Sequence, residues 1–475
     1  MKNVFLVGGP VALLITLIAP PPGGLSVEAW HVAGVAAWMA VWWLSGVIPL
    51  EATALLPILL FPLVGVGSIG EATAPYADPI IFLFLGGFLM AATLERWDLH
   101  KRFALGTVRI AGVSGPRVIL AFMVASAGLS MWISNTATAV MMLPIAKAVT
   151  AGLEHDDADA RESFSTALLL SVAYACSIGG LTTLIGTPPN AIFAASAREL
   201  VGVEIGFGEW MVIGASVSVP MFFLCWLVLI RLFRVRGDLP GLAAIVREHG
   251  KELGRMQGAE RFILGVLAVT AAAWILRAPK IIGGVRIPGL TDLMPGMSDS
   301  AIAIGAALIL LSVPLGNSRF SVALDWRTAS RIPWGILLLF GGGLALASAF
   351  ASSGLTQWIG GSLQKLSGAP MPVIILTTVI LFVLLTEMTS NAATTALGMP
   401  LMVGVASGLG LPALPLMIAA TLAASMAFML PVATPPNAIV FGSGLLKSAD
   451  MARAGARLNV IAVFVITLVV MVLRG

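Results

Sequence analysis

The chain has 475 residues, 58% of them hydrophobic and 11% charged, with a mean hydropathy of +0.99. A soluble domain cannot carry that balance without precipitating, so lipid is the solvent for most of the surface and the fold class is an all-α polytopic membrane protein. Lys and Arg outnumber Asp and Glu by 27 to 23, none of the basic clusters implies a nucleic-acid partner, and the four scattered histidines and two cysteines have no metal-ligand spacing.

In chain order, the first apolar run (5–19) reads as a retained helix, because Pro20, Pro21 and Pro22 replace the small residues of a cleavage site. Residues 1–22 form an extra N-terminal helix. A Gly-Gly helix follows (Phe84-Leu85-Gly86-Gly87-Phe88-Leu89), then a hairpin near 105–150 in which Ser134, Asn135 and Thr136 interrupt an apolar stretch. Unsatisfied polar groups at membrane depth are costly, so something must bond these three. Near 163–197 a long apolar helix carries Thr187-Pro188-Pro189-Asn190. Two consecutive prolines remove backbone donors and disfavour helix just before them, so the helix breaks there.

A basic linker at 232–261 separates this unit (23–231) from a second (262–475) that repeats its signals in the same order. Leu339-Phe340-Gly341-Gly342-Gly343-Leu344 answers the first Gly-Gly helix, and Ser390-Asn391-Ala392 in a hairpin near 370–404 answers Ser134-Asn135-Thr136. Thr434-Pro435-Pro436-Asn437-Ala438-Ile439, in a broken helix near 412–446, repeats all six residues of 187–192. Duplications of this size build many secondary transporters. Basic stretches at 96–117, 232–261, 319–331 and 447–457 read as cytoplasmic, which leaves the N-terminus inside and makes the two repeats inverted. Counting apolar runs gives about eleven transmembrane helices plus two re-entrant hairpins.

Breaks of this kind put chemistry in the bilayer. Carbonyls at half-helix C-termini suit a hard cation such as Na⁺, and half-helix N-termini suit an anion. No Arg or Lys lies beside either Ser-Asn motif, so an anion held there needs backbone dipoles and co-bound cations to offset its charge.

The paired Ser-Asn motifs, the twin Thr-Pro-Pro-Asn-Ala-Ile segments and the inverted halves resemble the divalent anion/sodium symporter (DASS) family of di- and tricarboxylate transporters, across nearly the whole chain. The resemblance implies that Ser130, Ser134, Asn135 and Gly186 line one sodium site and that Thr386, Ser390, Asn391 and Ala433 line a second. It implies substrate contacts from Asn135, Thr136, Thr187, Asn391, Thr434 and Pro435. It further implies two or more coupling sodium ions, a homodimer, and a transport domain that moves like an elevator against a scaffold. Family members that take dicarboxylates often carry threonine at the third position of both motifs, whereas this chain has Thr136 but Ala392.

The expected function is therefore sodium-coupled symport of a small dicarboxylate such as succinate, malate or fumarate across a bacterial inner membrane. A sodium-independent exchanger, or a symporter of citrate or sulfate on the same fold, is the alternative. An enzyme is not expected, since no His, Cys or Asp accompanies either Ser-Asn motif. Glu387, the one acid in the second hairpin segment, is expected to accept hydrogen bonds from a neighbouring backbone turn in preference to carrying a proton or cation.

Overall fold

Hydrocarbon offers no water to an open amide, so a chain of this composition must close its backbone hydrogen bonds within helices. The computed structural model describes residues 2–151, 158–237, 254–282, 285–315, 321–363, 368 and 370–473, and most of them are helical. Helices α1 (Lys2–Ile18) and α2 (Val27–Ser45) pack together, and short helices α3 (Leu50–Thr53), α4 (Leu56–Leu63) and α5 (Ile69–Thr73) lead to α6 (Pro79–Arg96). Asp78 caps α6 by accepting from the Ile80 amide at 2.8 Å.

Helix α7 (Leu99–Ala111) precedes the first hairpin, α8 (Gly115–Ser130) and α9 (Asn135–Ala151). The first arm thus begins ten residues later than the expected 105, because Gly112 at φ 73° ends α7 and Pro116 starts a new helix. The first broken helix is α10 (Ala158–Gly180) with α11 (Pro188–Val201), followed by α12 (Phe207–Leu232). Residues 238–253 of the expected basic linker lie outside the described residues. On its flanks Gly237 O accepts from the Gly115 amide at 3.0 Å, and Glu260 pairs with Arg102 at 2.7 Å.

The second half opens with α13 (Gly258–Ile275), a small antiparallel ribbon of β1 (Lys280–Ile282) and β2 (Val285–Ile287), and α14 (Leu290–Leu293). The ribbon is the one sheet among the described residues, beside an isolated antiparallel bridge between Pro314 and Val322. Then come α15 (Asp299–Ser312), α16 (Trp326–Ala329), α17 (Trp334–Ser352) and α18 (Leu355–Leu363). The second hairpin is α19 (Met371–Met388) with α20 (Asn391–Leu409), the second broken helix α21 (Ala413–Ala424) with α22 (Pro435–Phe441), and α23 (Ser448–Leu473) closes the chain.

Eight helices among the described residues are long and apolar enough to cross a membrane, and further apolar helices such as Gly115–Ser130 and Ala413–Ala424 are shorter. Both arms of the second hairpin and the first half of the first broken helix are among the eight. Burial sorts the elements: the apolar window of α10 is 94% buried, while those of α13 and α23 are 28% buried and present Leu264, Val269, Phe464 and Leu468 outward. In lipid such faces are solvated.

Small residues let the central helices approach. A Cβ on Gly179 would lie 2.4 Å from Ala127 O, and one on Gly455 2.3 Å from Phe428 O. The two broken helices cross, α10 packing on α22 and α11 on α21, and each is flanked by an arm of the other half's hairpin, α9 on α22 and α20 on α11. Tyr174 ties the crossing, donating from α10 to Phe428 O at 2.9 Å.

Candidate functional site: a cavity between four chain breaks

Each hairpin turns on a Ser-Asn step and each broken helix on a Thr-Pro-Pro step, and all four breaks face one cavity of about 800 Å³. Ten of the twelve expected site residues line it: Ser134, Asn135, Thr136, Gly186, Thr187, Ser390, Asn391, Ala433, Thr434 and Pro435. Ser130 and Thr386 do not reach it; both are fully buried just behind the tips. No lining residue is charged.

Helix polarity at the cavity follows from where the breaks fall. Asn135 opens α9, Asn391 opens α20 and Pro188 opens α11, so three helix N-termini point inward and direct partial positive charge at whatever occupies the space. Ser134 accepts from the Ala137 amide at 3.2 Å, while Ser390 makes no side-chain cap bond. The helices that end at these breaks, α8, α10, α19 and α21, bring C-terminal carbonyls to the same region, the groups that suit a cation.

Behind the first tip, the Asn135 amide lies among Ser130 Oγ, Cys176 O and Gly186 O. Turned with Nδ2 toward them, it donates to Cys176 O at 3.1 Å and Gly186 O at 3.3 Å. Turned the other way, Oδ1 accepts directly from Ser130 Oγ. Side chains are excluded from this space: a Cβ on Gly186 would sit 2.4 Å from Gly180 O, and one on Gly180 would sit 2.5 Å from Asn135 Oδ1. Behind the second tip Thr386 Oγ1 lies 2.7 Å from Asn391 Oδ1 and 2.5 Å from Ala424 O. Both halves therefore pair a helix-end hydroxyl with an asparagine five residues on and a carbonyl from the broken helix.

Three features were not singled out from sequence. Asn190 and Asn437, fully buried, turn away from the cavity and clasp the breaks: Asn190 Nδ2 donates to Gly180 O at 3.0 Å and Thr183 O at 2.7 Å, and Asn437 Nδ2 donates to Ala427 O at 3.2 Å and Leu430 O at 3.1 Å. The spacings of ten and seven residues are the same in both halves. Their place in the duplicated six-residue segment was the available signal. Trp43, Ser45, Gly46 and Leu50 add a lip to the cavity, for which no repeat signal exists. Thr389 lines it beside Ser390.

Glu387 accepts from the amides of Phe428 at 2.7 Å, Met429 at 2.9 Å and Leu430 at 3.1 Å, and from Asn459 Nδ2 at 2.7 Å. It thus holds the second break open by satisfying the turn that the prolines create, as the sequence led us to expect. The repeat counterpart, Met131, instead offers its backbone carbonyl to Thr183 Oγ1 at 2.5 Å.

The lip residue Leu50 precedes Glu51, which abuts Gly335, and Ile336 lines the cavity with the lip, at the end of the bundle where α17 begins after the basic stretch 319–331. No lining residue comes from the opposite end, where Arg198 pairs with Asp78 and Arg277 with Asp299 at 2.8 Å. The cavity therefore lies nearer the basic end of the bundle than the opposite one.

Comparison with known proteins agrees with this architecture. The chain is 39% identical over 476 residues to a sodium-dependent dicarboxylate transporter, SdcS, of Staphylococcus saprophyticus, covering 98% of this chain and 90% of that one. It is 38% identical over 475 residues to SdcS of Staphylococcus aureus, with the same coverage. Among solved structures the fold is similar to the YdaH transporter of Alcanivorax borkumensis (TM-score 0.56, 13% identity, 99% of this chain and 97% of that one). It is also similar to MtrF of Neisseria gonorrhoeae (TM-score 0.58, 12% identity, 99% and 94%). The profile of the sodium:sulfate symporter transmembrane region matches residues 2–473, and the chain belongs to that family of multi-pass membrane transporters.

Proposed function

We propose that the chain is a secondary active symporter that couples the movement of Na⁺ to that of a small dicarboxylate of the succinate, malate or fumarate class. The observation that carries this reading is the uncharged cavity bounded by two hairpin tips and two proline breaks. A dianion in such a place needs positive charge from somewhere. Helix N-termini supply part, and sodium ions behind the tips supply the rest, so that each ligand raises the affinity for the other. Relatives at 38–39% identity that are named sodium-dependent dicarboxylate transporters support the same pairing of ligands.

In this reading Ser130, Ser134, Asn135 and Gly186 hold one sodium ion and Thr386, Ser390, Asn391 and Ala433 another. Asn135, Thr136, Thr187, Asn391, Thr434 and Pro435 meet the substrate. The two units are inverted repeats in the inner membrane with the N-terminus in the cytoplasm, and the cavity, nearer the basic end, is the cytoplasm-facing state. Hairpins and broken helices form a transport domain that rises against a scaffold containing α2–α6 and α17, in a homodimer.

The test is uptake of labelled succinate by proteoliposomes at fixed membrane potential. An inward Na⁺ gradient is expected to drive accumulation that sulfate or citrate displaces less well than malate. Equal uptake with choline in place of Na⁺ would establish the sodium-independent exchanger instead.

A further inference from the structure

The two hairpin tips each carry one hydroxyl beside the Ser-Asn pair, but not at the same place. The first reads Ile133, Ser134, Asn135, Thr136; the second reads Thr389, Ser390, Asn391, Ala392. Ile133 is buried and does not line the main cavity, whereas its counterpart Thr389 is half-buried and does. Conversely Thr136 presents a hydroxyl to the cavity and its counterpart Ala392 presents a methyl group. The hydroxyl missing after Asn391 reappears before Ser390.

Its bonding leaves it available. Thr389 Oγ1 lies 2.7 Å from Leu385 O, one of the last carbonyls of α19, and 2.6 Å from Thr394 Oγ1, one turn into α20. A hydroxyl has one proton and two lone pairs, so with Thr394 donating to it, Thr389 keeps a single proton to direct. Without an anion that proton goes to Leu385 O. A carboxylate is the stronger acceptor, because hydrogen bonds to a charged partner are about twice as strong as neutral ones. A rotation of the hydroxyl hydrogen alone transfers the bond, with Thr394 holding the oxygen in place.

We propose that Thr389 binds one carboxylate of the substrate, working from the second tip as Thr136 works from the first, and so determines the preference for dicarboxylates despite Ala392. The proposal rests on the dicarboxylate symport reading above.

Three variants separate this role from a structural one at the tip: Thr389→Val, Thr389→Ser, and Thr389→Val combined with Ala392→Thr. In Na⁺-driven succinate uptake, Thr389→Val is expected to raise KM about tenfold, with half-saturating Na⁺ and maximal rate changed less than about twofold. Thr389→Ser should keep the wild-type KM, and the combined variant should recover most of the loss. If Thr389 only stiffens the tip, half-saturating Na⁺ rises along with KM and Ala392→Thr restores nothing; that outcome, or an unchanged KM in Thr389→Val, overturns the assignment. Should Thr389→Val fail to fold, Ala392→Thr alone decides: a second donor beside Thr389 is expected to lower KM about threefold, and an unaltered KM overturns the proposal. A wild type that takes up no succinate removes the underlying reading and this assignment with it, whereas an active wild type matched by Thr389→Val removes the assignment alone.

Discussion

Asn135 and Asn391 stand where two requirements meet. Each begins a helix whose N-terminus faces the cavity, and each side chain reaches back to a buried hydroxyl, Ser130 or Thr386, and to the neighbourhood of a carbonyl on a broken helix. One residue thereby touches both the anion space and the cation space, which is the physical basis for coupling them. Asn135→Ala and Asn391→Ala are each expected to lower succinate uptake by at least about a hundredfold, the equivalent of two lost charge-assisted bonds, with little change in yield or elution of the purified protein. Wild-type uptake by either variant would remove that asparagine from the site. These two residues were legible in the sequence because the motif occurs twice and polar triplets in apolar surroundings demand partners. Asn190 and Asn437 were equally visible as letters, yet no pattern tells whether a side chain after two prolines points into a cavity or back onto its own turn. Their structural duty makes a different prediction: Asn190→Ala removes the amide that donates to Gly180 O and Thr183 O and should cost about 1–3 kcal/mol, seen as a lowered unfolding temperature at unchanged substrate selectivity.

At the scale of elements, the breaks are made by prolines and kept by side chains. The second break is longer, residues 425–434 against 181–187 in the first, and it alone has a carboxylate to satisfy its exposed amides. Glu387→Gln replaces an acceptor of four hydrogen bonds with a group that has one acceptor oxygen. Half-saturating Na⁺ is expected to rise several-fold in that variant through the loosened Thr386 and Ala433 positions, with Met131→Leu at the counterpart position near wild type. An unchanged sodium dependence in Glu387→Gln would show that the turn holds itself. The position of Glu387 three residues before Ser390 was evident from sequence, whereas the turn it holds, forty residues away, was not. The same limit explains the late start of the first hairpin. A Gly-Val-Ser-Gly-Pro stretch announces an interruption, but an apolar pattern runs through both sides of it, so periodicity alone joins α7 to the hairpin.

The whole molecule is asymmetric about its cavity, which has lip residues toward the basic end, while ion pairs and aromatic packing gather at the other. Phe207, Trp132 and Trp274 stack at that other end, with Phe207 and Trp274 centroids 4.3 Å apart. Val432, 83% exposed at the lip, should therefore react from one side only. Val432→Cys in oriented vesicles is expected to be labelled by a membrane-impermeant thiol reagent from the cytoplasmic side and protected by succinate with Na⁺, against a low background since Cys176 and Cys225 are fully buried. Labelling from the outer side alone would reverse the orientation drawn from the basic loops.

The claim on which all scales converge is that anion and cation are bound together by the same four breaks. The most direct measurement is thermal unfolding of the purified protein with succinate, in Na⁺ and in choline. At about a hundred times Kd the account predicts stabilisation near 2.7 kcal/mol in Na⁺, none in choline, and none in either for Asn135→Ala. Equal stabilisation by succinate in both salts would contradict it.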